Sequence, residues 1–183
     1  MAVISRFFNE TSRLFKSLVY GKNLLIQNLP QTNRIYIGST AIFPIWAKPI
    51  INILVETPKE SNLLIYRDLI MHNGYICTSE NESRMSFNKG FTESGFAERV
   101  FRLHLKYTGD NGGLCFRDYL NKFPDTAKEY ERLKLSQWKK YEHNRDAYTN
   151  AKTEFVKKYF ERAKRFTAID TDSCFFVKQY ILM

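Results

Sequence analysis

The residues whose types could do chemistry begin with Gly38, Ser39 and Thr40, followed by Lys48 and Asn52, within RIYIGSTAIFPIWAKPIINILVE (34–56). An apolar run, a turn of small residues and a second apolar run is a common way to hold phosphate. Backbone N–H groups and hydroxyls in the turn point at the anion. Lys48 adds a compact positive charge. The second run is interrupted by Asn52, where a metal-using enzyme would need a carboxylate. No acidic residue occurs between Glu10 and Glu56.

Further along, RVFRLHLKY (99–107) alternates cleanly. Phe101, Leu103, Leu105 and Tyr107 fall on one strand face; Val100, Arg102, His104 and Lys106 fall on the other. Arg84 opens a preceding strand-like stretch, RMSFNKG (84–90). If the polar faces meet, Gly38, Ser39, Thr40, Lys48 and Asn52 look toward Arg84, Arg102, His104 and Lys106. Such a basic cleft would attract a phosphate- or carboxylate-bearing small molecule. The plainer alternative is that Arg, His and Lys solvate an open sheet face. His104 is the one candidate general acid or base, since histidine titrates near neutrality. Isolated histidines on strands are more often structural.

The elements that must position these residues follow from pattern. Arg6 to Leu29 reads as a helix ended by Pro30. Arg34–Ile37 and Ile50–Glu56 are short and β-branched, hence strands. Lys59–His72 is expected to be a helix stopped by Asn73-Gly74, with Tyr75–Thr78 a short strand after it. Beyond the Thr108–Gly113 loop the period is helical: 114–122, then Asp125 to about Tyr141, then Arg145 to about Ala168. The stripe expected on the second of these is Ala127, Tyr130, Leu133, Trp138 and Tyr141. Strands and helices alternate early and helices dominate late, so the class is α+β: a mixed sheet, flanking helices and two long C-terminal helices. One domain of 1–183 is expected, with a sheet-containing core over 30–110, a helical part over 111–168 and an apolar tail, 169–183. The end of the tail, SCFFVKQYILM, needs a partner surface, either the body of the protein or a second copy.

Composition bounds the rest. The 183 residues are 44% hydrophobic and 26% charged, an ordinary globular balance. No segment approaches the roughly 18 apolar residues of a membrane span, and no signal peptide is visible, so a soluble cytoplasmic protein is expected. Cys77, Cys115 and Cys174 are far apart, and His72, His104 and His143 share no ligand spacing with them, so no metal site is expected. The net charge is +9, and 121–168 carries 13 Lys/Arg against 7 Asp/Glu. These charges are dispersed over helices, so a nucleic-acid partner is not expected.

Words spread over most of the chain resemble the GrpB family, itself similar in fold to the nucleotidyltransferase superfamily. They are IGSTAIFPIWAKPIINILV, then Arg84, Phe87, Lys89 and Gly90, then Leu103-His104-Leu105. Phe116-Arg117-Asp118-Tyr119-Leu120 with Pro124 follows, and then Tyr130, Leu133 and Lys134, and Arg145, Tyr148, Lys152 and Phe155. The resemblance implies a nucleotidyltransferase-type sheet with C-terminal helices and no settled reaction. In that superfamily a Gly-Ser turn meets nucleotide phosphates, and two carboxylates on the next strand hold Mg²⁺. Here Gly38-Ser39 keeps the turn, whereas Asn52 and Leu54 stand at the carboxylate positions. Relatives usually show aspartate at the first, so the metal half of the machinery is poorly supported. The leading expectation is a protein that binds a nucleotide or other phosphorylated small molecule. The alternatives are a diverged Mg²⁺-dependent nucleotidyltransferase, and a non-catalytic module for a coenzyme A pathway kinase. The last rests on the family's occurrence joined to dephospho-coenzyme A kinase.

Overall fold

A computed structural model describes residues 29, 32–43, 45–48, 50–92, 95–109, 112–141 and 144–169. The expected helix before Leu29, Pro30, Pro44, Pro49, His143, Cys174 and the tail 173–183 lie outside the described residues. The chain divides into two compact units. One contains Met1–Ala41 and Ile45–Asp110; the other contains Ile42–Pro44 and Asn111–Met183.

The first unit is built on five strands: β1 (Asn33–Ile37), β2 (Ile50–Thr57), β3 (Ile76–Glu80), β4 (Arg84–Thr92) and β5 (Gly95–Tyr107). Their order across the sheet is β1-β2-β5-β4-β3. Only β2 and β5 pair in parallel; the other three pairings are antiparallel. The sheet is therefore mixed, as expected. β2 and β5 lie inside the sheet, which explains why β2 is buried along most of its length.

One sheet face carries the core. Ile51, Ile53 and Val55 of β2 meet Leu103 and Leu105 of β5 and Met85 and Phe87 of β4. Helix α1 (Leu63–His72) covers them with Leu63, Tyr66 and Ile70. Full burial of such side chains contributes about 1.5–3 kcal/mol each. The helix starts four residues later than the expected Lys59, because Asn62 caps it. Its side-chain oxygen accepts the Leu64 N–H at 2.9 Å. At the other end Gly74 has φ +81° and supplies the left-handed stop. Lys89 Nζ donates to the Asn73 carbonyl at 2.8 Å and lies 5.4 Å from the centre of the Tyr75 ring.

Two strands exceed their expected lengths by the most. β5 begins at Gly95 rather than Arg99, and β4 runs to Thr92, because the two form one long hairpin. β3 carries a register shift between Cys77 and Ser79 that leaves Thr78 outside the pairing; its hydroxyl donates to the Ser86 carbonyl at 3.1 Å.

The second unit is helical: α2 (Gly112–Lys122), α3 (Pro124–Trp138), α4 (Arg145–Asn150) and α5 (Thr153–Ile169). The single helix expected from Arg145 to Ala168 is in fact α4 and α5, broken at Ala151-Lys152. Thr149, Asn150 and Thr153 are poor helix formers, and Thr153 Oγ1 bonds back to the Thr149 carbonyl at 3.4 Å. The unit packs on aromatic side chains: Tyr119 meets Phe123, Tyr159 and Phe166, and Tyr130 stacks on Phe155 at 5.3 Å. Phe43 N–H donates to Asn121 Oδ1 at 2.9 Å. Cys77 and Cys115 are half-buried free thiols.

Candidate functional site

The turn after β1 is held tightly. Gly38 has φ +75°, a conformation that a side chain disfavours. A Cβ there would also sit 2.9 Å from Asn52 Nδ2. Ser39–Ala41 then forms one 3₁₀ turn, closed by Ala41 N–H to the Gly38 carbonyl at 3.0 Å. Thr40 Oγ1 and Asn52 Nδ2 both donate to the Ile50 carbonyl, at 3.3 and 3.4 Å. Thr40 therefore fastens the turn to β2, a structural duty that the sequence pattern did not reveal, while the Asn52 bond stays within β2.

Asn52 lies beside Arg102 in the β2–β5 register, and Arg102 lies beside Asn88 of β4. The strand neighbours of Arg102 on this face are thus two neutral amides. Lys48 lies close enough to feel it: burial, and then the charge of Arg102, lower the Lys48 pKa from 10.5. Gly38, Ser39, Thr40, Lys48, Asn52 and Arg102 consequently gather at one end of the strands.

The other predicted residues lie elsewhere on the same face. His104 stands two residues along β5, opposite Leu54 and Ser86. Ser86 Oγ is 3.3 Å from His104 Nδ1. Burial, reinforced by Arg84, Arg102 and Lys106, pulls the His104 pKa from 6.5 down to about 4. It is uncharged at neutral pH and a weak base, which suits a structural role better than proton transfer. Lys106 and Arg84 pair at the far end, with Glu56 across from Lys106. Four residues along a strand place Lys106 roughly 13 Å from Arg102. The single cleft expected from the sequence is therefore divided between two ends of the sheet. The face is also not an open, solvated one: Val100 is 1% and Lys106 8% exposed. Glu56, 5% exposed, brings an acid to this face that sequence reasoning had not placed there.

A superfamily metal site does not fit these residues. Asn52 offers only a neutral amide oxygen, and Leu54 offers no ligand and is buried. The neighbouring charges are the cations Lys48 and Arg102, where Mg²⁺ would need carboxylates. Among the described residues no group of three or more His, Cys, Asp or Glu could hold a metal ion.

In the helical unit the side chains buried on α3 are Ala127, Tyr130, Glu131 and Lys134. The stripe expected from apolar residues was different because it discounted charged ones. The spacing 127, 130, 131, 134 was nonetheless present in the sequence. Burial pushes the Lys134 ammonium down to about 7, opposed by Glu131 and assisted by Lys152. Arg117, also buried, bonds Asp118 Oδ1 through Nε at 2.7 Å.

A mixed five-stranded sheet, with a Gly-Ser turn ahead of a central strand, defines a nucleotidyltransferase-like fold. A structure of the Cid1 poly(U) polymerase bound to MgATP superposes with a TM-score of 0.50 at 11% identity, over 72% of this chain and 43% of that one. The chain belongs to the GrpB family: the GrpB protein family matches residues 5–162. The crystal structure of GrpB from Enterococcus faecalis has a TM-score of 0.67 at 24% identity, covering 86% of this chain and 94% of that one. The glutamate-rich protein GrpB of Alkalihalophilus pseudofirmus is 38% identical over 125 residues, 65% of this chain and 71% of the relative. The YqkA protein of Bacillus subtilis is 32% identical over 164 residues, 87% of this chain but 44% of YqkA. The match thus spans less than half of the longer relative. Among the described residues no helix is long and apolar enough to cross a membrane.

Proposed function

We propose that this protein binds a nucleotide or another phosphorylated small molecule at the Gly38-Ser39 turn, without a protein-held metal. The observation that carries the reading is the juxtaposition of Lys48 and Arg102. Burial, and then the charge of Arg102, lower the Lys48 pKa, and the strand neighbours of Arg102 are the amides Asn52 and Asn88. An anion between two such cations relieves that repulsion and gains charge-assisted hydrogen bonds. The Gly38 turn, fixed to β2 by Thr40, supplies backbone polarity at the same end of the sheet. The fold likeness to a polymerase bound to MgATP makes nucleotides the first ligands to try.

Isothermal titration calorimetry with ATP, in EDTA and in Mg²⁺, tests this. Binding in EDTA is expected, weakened roughly tenfold by Lys48→Glu, a change at an exposed side chain. Equal affinity in wild type and Lys48→Glu would sink the reading. Binding that requires Mg²⁺ would instead favour a diverged nucleotidyltransferase whose metal is held by the substrate phosphates.

A further inference from the structure

We propose a second anion site at the opposite end of the sheet, for a small molecule carrying two or more phosphate or carboxylate groups. It does not depend on the Gly38 reading. A cavity of about 590 Å³ opens there, lined by Lys59, Ser83, Arg84, Lys106, Thr108 and Gly109 among others. Three of its lining side chains are cationic and none is acidic, with Glu56 buried beside Lys106 at the base, so the exposed Lys59 and Arg84 carry the site's charge. The volume falls within the roughly 300–1,000 Å³ typical of small-molecule sites, well above the space one phosphate fills.

Topology supports the placement. Lys59 follows β2, and Lys106 to Gly109 end β5, so the cavity sits at the carboxyl ends of the sheet's parallel pair. The Gly38 turn lies at the amino end of the same pair.

The walls are fixed before any ligand arrives. Asn81 Oδ1 accepts the N–H groups of Ser83 at 3.1 Å and Arg84 at 2.9 Å, and Asn81 N–H donates to the Arg84 carbonyl at 2.9 Å. Thr108 donates twice to the Thr57 carbonyl, from N at 2.8 Å and Oγ1 at 3.0 Å. The Tyr107 hydroxyl donates to the Ser61 carbonyl at 3.2 Å. The first set orders the β3–β4 turn within itself, and the others tie the end of β5 to the end of β2 and to the β2–α1 loop. A Cβ on Gly109 would meet nothing within 4 Å, so a ligand has room beside that backbone. Lys106 is buried at the base, whereas Lys59 and Arg84 are exposed at the mouth. A fixed floor with two long cationic arms above it suits a polyanion better than a single ion.

Calorimetry in metal-free buffer, with inorganic pyrophosphate in one arm and citrate in the other, provides the test. Lys59→Ala/Arg84→Ala removes only exposed side chains, so its melting temperature should stay near that of the wild type. It is expected to weaken one binding event roughly tenfold, whereas Lys48→Glu leaves that event unchanged. In ¹⁵N spectra the Ser83 and Gly109 amides should move on titration of the wild type. Stronger binding of pyrophosphate or of citrate assigns the ligand to phosphates or to carboxylates. Unaltered stoichiometry and affinity in Lys59→Ala/Arg84→Ala would overturn the site, as would failure of both probes to bind at millimolar concentration. If Lys48→Glu alone abolishes all binding, the far site is refuted and the Gly38 site stands. If only the double variant loses binding, the reverse holds.

Discussion

Gly38 meets two demands at once, a positive φ and the near approach of the Asn52 amide. Gly38→Ala should cost roughly 1–2 kcal/mol in urea unfolding, from backbone strain and displaced Asn52 together. Adding Asn52→Ala should recover the contact part but not the φ part, a non-additivity that a double-mutant cycle reads directly. His104 makes a pH prediction. Its folded pKa of about 4 lies below the ordinary 6.5, so the unfolded chain takes up the proton first. The stability it contributes is full above about pH 6.5 and falls as pH drops toward 4, by at most about 3 kcal/mol. His104→Gln should flatten that part of the acid limb in thermal melts; an unaltered limb would show that His104 is not held neutral. Residue types alone revealed the turn, the missing acids and the cations near His104. They could not reveal that Thr40 reaches the Ile50 carbonyl, because that bond exists only once the turn and β2 are brought together.

Strand alternation was the most legible level. Phe101, Leu103, Leu105 and Tyr107 share the core-facing side because a strand's period of two leaves no other choice. Helix boundaries were less legible where a cap or a threonine decided them. Asn62, which delays α1, competes with the helix-compatible residues 59–61 before it. Asn62→Ala should cost about 1 kcal/mol in denaturant unfolding, and no loss would mean that the cap is replaced by water. The α4–α5 break was written in Thr149, Asn150 and Thr153, but apolar periodicity runs through it and masked it. Division of the cationic residues between two ends of the sheet was not readable either. A face assignment fixes which side a residue occupies, whereas its height along the strand depends on pairing between distant segments.

Taken as one body of charge, the chain is strongly basic, with a net charge of +9. Anion affinity should therefore fall as salt rises, by about tenfold between 0.05 and 0.5 M NaCl for ATP. A salt-independent Kd would place the binding energy in something other than Lys48 and Arg102. The same charge adds a repulsion between copies of the chain, which does not by itself block pairing at a strand edge. β3 is such an edge: it ends the strand order, and Ile76 is 61% exposed on it. The out-of-register Thr78 interrupts the ladder there, so a neighbouring molecule finds no continuous row of N–H and C=O groups to copy. A single surplus residue thus works as a guard against fibre growth along this edge of the sheet.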